Sequence, residues 1–123
     1  MSDVHLPPGW PVAVRPPQSP GWQRSAVGWL LDQCPSEYRA HPVLRSQPVA
    51  LAWLALLHVT AQGRANAAAR AEARADLREH LDPTALDAFM VALDHEHARL
   101  LELHRAVRLV GDALRGLRYV PRL

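Results

Sequence analysis

The chain has 123 residues, 14 Lys+Arg against 12 Asp+Glu, a net charge of +2 and one cysteine. That length carries one modest core and excludes a large multidomain enzyme. The small charge gives no electrostatic case for nucleic acid by itself, and a lone Cys34 excludes an internal disulfide framework and fits a reducing compartment.

Residues 1–19 hold five of the 11 prolines, including Pro7-Pro8 and Pro16-Pro17. Proline lacks the N–H a helix needs, so this stretch is expected to be an extended or polyproline-like arm, with Trp10 pinning it to the body. It has neither the basic start nor the long apolar core of a signal peptide. A single helical domain is expected over 20–123. Ser19-Pro20 signals a helix start, and Trp22, Ala26, Trp29, Leu30 and Gln33 form one stripe ending before Pro35. A short helical turn near 37–41 follows, with Tyr38, Val43 and Leu44 expected to face inward, and Pro42 and Pro48 punctuate the chain.

Pro48 opens an apolar run, 49–57, that is too short to span a bilayer. Helical propensity stays high from there to Leu81 apart from Gly63 and Asn66, which predicts a helix over about 48–81. Leu51, Trp53, Leu54, Leu56 and Leu57 cover more than one stripe, so this end needs a third layer. The helix near Trp22 is the candidate. Farther along, Ala61, Ala65, Ala68, Ala71 and Ala75 are expected to face the opposing helix.

Asp82 and Pro83 mark the start of a second long helix, about 83–119, because a carboxylate can cap free N–H groups and proline lacks one. Leu86, Leu93, Leu100, Val107 and Leu114 occupy one heptad position, and Phe89, Leu103, Val110 and Leu117 the other. Only Glu96 interrupts. Apolar residues at 3.5 spacing make a helix–helix seam, and the short hinge at 80–83 makes the helices antiparallel. The fold class is therefore all-α, a long antiparallel helical hairpin with one or two short N-terminal helices packed on its open end.

Chemistry is sparse. Asp94-His95-Glu96-His97 with His104 suggests a metal site, but His95 and His97 lie about 200° apart around a helix and cannot share an ion. Glu72 and Glu79 have no histidine three residues on, so the diiron pattern fails. H-E-x-x-H, G-x-S-x-G and phosphate-binding glycine loops are absent. No catalytic, metal or cofactor residue is assigned, and the chain is read as not an enzyme. His58 and His104 are expected to meet across the hairpin as a register-fixing pair.

Two binding surfaces remain. The second helix carries Ala85 and Ala92 on one flank of its seam and Met90 and His97 on the other. With Phe89 these form a candidate interface for a homodimer or another protein. Arg70, Arg74 and Arg78 form an i, i+4 stripe able to track phosphates, and Arg115, Arg118 and Arg122 add a basic tail. The leading reading is a cytoplasmic, non-catalytic interaction module self-associating through its Ala-rich arm. The alternative is a nucleic-acid- or ribosome-associated factor.

Trp22, Ala26-Val27, Trp29-Leu30-Leu31-Asp32, Pro35, Tyr38-Arg39, Pro42-Val43-Leu44 and Pro48, with the closing 113–116 and 119–123, resemble small uncharacterised actinobacterial proteins. The resemblance implies a high-GC bacterial, cytoplasmic setting and carries no activity. The basic residues, all arginine with no lysine, agree with such a genome.

Overall fold

The computed structural model describes residues 6–117. Its helices are α1 (Trp22–Asp32), a 3-10 helix (Ser36–Ala40), α2 (Pro42–Ser46), α3 (Pro48–Leu77) and α4 (Pro83–Leu114). Among the described residues there is no strand, and α3 and α4 pack along each other as an antiparallel hairpin. The expected all-α hairpin is the fold.

Both helix ends follow from local chemistry. The Asp82 carboxylate accepts the Ala85 N–H at 2.8 Å, and Pro83 sits in the first turn of α4, where its missing N–H costs nothing. At the other end Gly116 turns left-handed, with φ +82°. The Gly116 N–H then reaches the Ala113 carbonyl and the Leu117 N–H the Asp112 carbonyl, each at 3.0 Å. That paired bonding is a Schellman stop. Consequently α4 ends at Leu114 rather than near 119, and Leu117, expected on the heptad, lies beyond the helix and exposed. Likewise α3 ends at Leu77, whose carbonyl takes the N–H groups of His80 and Leu81. The link is thus 78–82, longer than the hinge the sequence suggests, because Asp82 must leave helical geometry to act as a cap.

The core sits at the open end of the hairpin, here called the base. Leu51, Ala55 and Val59 of α3 meet Leu100, Val107 and Val110 of α4, and Trp22, Ala26, Leu30 and Leu31 of α1 close one side. A Cβ built on Gly111 would stand 3.4 Å from the Ala52 Cβ, so small residues bring the backbones together here. Toward the tip, Ala73 and Leu86 are the buried apolar residues, with Asn66 beside them. Burying a Leu or Val stabilises by roughly 1.5–3 kcal/mol and an alanine by far less, so the base holds the hairpin.

The alanines turn the opposite way from expectation. Ala61, Ala65, Ala68, Ala71 and Ala75 are all exposed, and the inner line instead runs Val59, Asn66, Ala73. Continuing Leu51, Ala55 and Val59 by helical steps reaches Asn66 and Ala73. The five alanines fall well away from that line.

The arm also departs from an extended form. The N–H groups of Trp10, Val14 and Ser19 reach the carbonyls of Pro7, Pro11 and Pro16, each at 3.1 Å, in three successive turns. Two of these have proline second (Pro8, Pro17) and a positive-φ residue third (Gly9 at +96°, Gln18 at +72°), the arrangement of a type II turn. Proline pairs thus bend this arm rather than extend it. The Trp10 indole N–H donates to the Val14 carbonyl at 2.9 Å, and Val14, 2% exposed, plugs the core. The Arg15 N–H donates to Ser25 Oγ of α1 at 2.9 Å.

Asp82→Ala removes the α4 cap and should lower stability by about 1 kcal/mol. The check is a reduced urea midpoint with an unchanged denaturant slope, whereas an unaltered midpoint would deny the cap any role.

Candidate interaction surface

The α1 layer covers one side of α3 and leaves its outer face bare. Trp53 is 57% exposed and Leu57 49%, with Val49 beside them. At about 100° per residue these fall on the face turned away from α4, and Arg64, Ala68, Ala71 and Ala75, all exposed, continue it to the tip. Val43 of α2, expected to face inward, is 59% exposed at the same end, while Tyr38 and Leu44 are half-buried as expected. A helix segment with large apolar residues on more than one stripe needs more cover than a single partner helix gives. The missing third layer is therefore only half supplied by α1.

The interface residues named from sequence do not form one surface. Ala85, Met90 and His97 are half-buried, Phe89 is 38% exposed and Ala92 is exposed. Ala85 and Ala92 lie on one flank of the seam and Met90 and His97 on the other, with buried Leu86 between the flanks. Sequence reasoning missed the Val49–Trp53–Leu57 face because apolar residues surround that helix. The signal was the surplus of large side chains over what one short helix can cover.

The arginine stripe is engaged within the hairpin. Arg70 Nε lies 3.2 Å from Asp94 Oδ1, and Arg74 Nη1 lies 3.2 Å from Asp87 Oδ1. These pairs run between α3 and α4, not along one helix. Arg78 and Arg115 are exposed and make no ion pair among the described residues, while Arg118 and Arg122 lie outside them. Glu96 leaves the seam to pair with Arg99 on its own helix, and Arg99's hydrogen bond holds that carboxyl below the usual range.

One polar group does occupy the seam. Asn66 is 7% exposed, its Nδ2 donates to the Leu93 carbonyl at 3.2 Å, and its buried Oδ1 has no partner among the described residues. His58 and His104, expected to meet, are half-buried, and neither has a hydrogen-bond partner among the described residues. The buried polar contact across the seam, among the described residues, is Asn66 with the α4 backbone. No group of three His, Cys, Asp or Glu side chains among the described residues converges as a metal site.

Cys34 is half-buried at the end of α1. Burial pushes its thiol up, against the opposing pull of the Arg39 guanidinium, which is itself paired with Asp32. An open depression of about 480 Å³ lies between the arm and α4, lined by Gly9, Trp10, Leu103 and Arg105. No described helix is long and apolar enough to cross a membrane.

No model of a known protein family, no curated protein and no solved structure matches this chain.

Asn66→Ala removes a single hydrogen bond and also an unsatisfied oxygen, so the two effects, each on the order of 1 kcal/mol, should nearly cancel. The urea midpoint should stay level or rise, and a loss well beyond 1 kcal/mol would mean that the bond to Leu93 outweighs the orphaned oxygen. For Cys34, the raised thiol pKa keeps the nucleophilic thiolate scarce at neutral pH. Alkylation by iodoacetamide at pH 7.5 should run more slowly in the folded chain than in urea. Equal rates would show a freely ionising, open thiol.

Proposed function

We propose that the protein is a non-catalytic helical interaction module of the cytoplasm that self-associates through the outer face of α3. The observation that carries this reading is Trp53, a large aromatic more than half exposed on a face that, apart from Arg64, stays apolar or small to the tip. Aromatic side chains anchor helix-docking surfaces because they bury much area for little lost rotamer freedom. The Ala-rich arm enters the same reading, since its outward alanines admit a second helix at close range.

The nucleic-acid reading has weaker support. Two of its stripe arginines already hold Asp94 and Asp87, which leaves it Arg78, Arg115 and the tail positions Arg118 and Arg122.

The test is mass by light scattering across a concentration series at low and high salt. A dimer that persists at high salt is expected, because apolar contact is not screened. Trp53→Glu or Leu57→Glu should weaken association at least about tenfold, with helical circular dichroism retained. Ala92→Glu should leave it unchanged. A dimer lost with Ala92→Glu and kept with Trp53→Glu would move the interface to the flank of α4. Retention on RNA that falls steeply with salt would favour the alternative.

A further inference from the structure

The outer face of α3 is graded. Val49, Trp53 and Leu57 crowd the base half, and Ala68, Ala71 and Ala75 line the tip half, with Thr60, Ala61 and Arg64 between. A face that is large at one end and small at the other matches itself when reversed. Laid antiparallel on a second copy about a two-fold axis near Thr60 and Ala61, Trp53 falls opposite Ala68, Ala50 opposite Ala71, and Leu57 opposite Arg64. Trp53 of each copy then rests on the small Ala68 of the other, and Leu57 lies against the stem of Arg64. In a parallel pair Trp53 would meet Trp53, and the alanine halves would face each other across a gap.

Charge points the same way. At the base, Arg24 and Arg45 line an open depression of about 370 Å³ beside Pro48. Neither makes an ion pair among the described residues, and neither do Glu72 and Asp76 near the tip. By helical position Glu72 and Asp76 lie on the flank of α3 that α1 covers at the base. A two-fold perpendicular to the helices keeps that flank on one side of both copies. It therefore carries the acidic pair of one copy to the arginine depression of the other. Arg64, exposed and unpaired among the described residues, arrives beside the partner's Trp53, whose ring face attracts a cation. The antiparallel arrangement also sets each α3 N-terminus near the other's C-terminus, so the helix dipoles attract.

We propose that the partner on this face is a second copy of the chain, its α3 antiparallel and crossing near Thr60 and Ala61. This rests on the self-association reading above and adds orientation and register. The pairing is isologous and closed, so assembly stops at two.

Disulfide trapping distinguishes the possibilities, using the full chain with Cys34→Ser and one new cysteine per variant. Ala61→Cys, near the axis, should link to itself under mild oxidation. Ala50→Cys alone should not, because its counterpart lies at the far end of α3. A mixture of Ala50→Cys and Ala71→Cys should give the mixed dimer at more than about ten times the yield of either variant with itself. Efficient self-linking of Ala50→Cys in a chain that scatters as a dimer would overturn the antiparallel register and leave self-association standing. A chain that scatters as a monomer at all concentrations would overturn both. A charge swap supplies an independent readout: Arg24→Glu with Arg45→Glu should weaken the dimer at low salt, and adding Glu72→Arg with Asp76→Arg should restore it. Failure of the restoration, with all variants folded, would remove the electrostatic half of the pairing.

Discussion

The structure depends on the seam at the base of the hairpin. Leu51 and Val59 face Val107 and Val110, Leu30 and Leu31 of α1 add a third wall, and Ala52 against Gly111 sets the approach of the two backbones. All six of those leucines and valines are essentially without solvent exposure. This cluster fixes the rotation of α3 about its own axis. Once Leu51, Ala55 and Val59 point inward, every later residue of an unbroken helix has its direction assigned. The exposure of Trp53 and the outward turn of the alanines follow from that rotation.

The same rotation sets how strongly each part of the hairpin is held. Beyond Val59 the inner line offers Asn66 and Ala73 to α4, so little apolar area is removed from water. What joins the helices there is the Asn66 bond to Leu93 and the pairs Arg70–Asp94 and Arg74–Asp87. Exposed ion pairs of this kind contribute at most about 1 kcal/mol each, but they form at one register only and so oppose slippage. The tip is thus positioned more by specificity than by burial, and it is where local opening should begin.

Much of this architecture was legible in the sequence, for identifiable reasons. Proline and aspartate at 82–83 mark a helix start whatever surrounds them, and a 3.5-residue apolar repeat has few other outlets, so α4 and its partner were readable. What escaped were features with no local signature. The alanine-rich helix is nearly uniform around its circumference, so nothing within it says which side faces α4. That information lies in Leu51, Ala55 and Val59, and only after the hairpin closes. In the arm, Pro7-Pro8-Gly9 carried a type II turn signal that the number of prolines obscured. Pro16-Pro17-Gln18 was harder to read, since glutamine seldom takes a positive φ. The candidate surface was hidden for the same reason as the alanine direction: a Trp in an apolar run reads as core until the core is shown to be full.

A hairpin with one short helix laid along it can cover only one side of its longer apolar member. Here α1 lies on the side of α3 that it shares with α4, and the arm, through Gly9 and Trp10, packs against Arg105 and its neighbours on α4. Neither segment lies over Trp53 and Leu57. A monomer bearing polar residues at 49, 53 and 57 would keep the same seam, since none of those positions contributes to the buried core. Their apolar character therefore adds little to the buried core of one copy and leaves a face that water wets at a cost. That cost is removed where such a face is covered, which is the physical ground of the association proposed above.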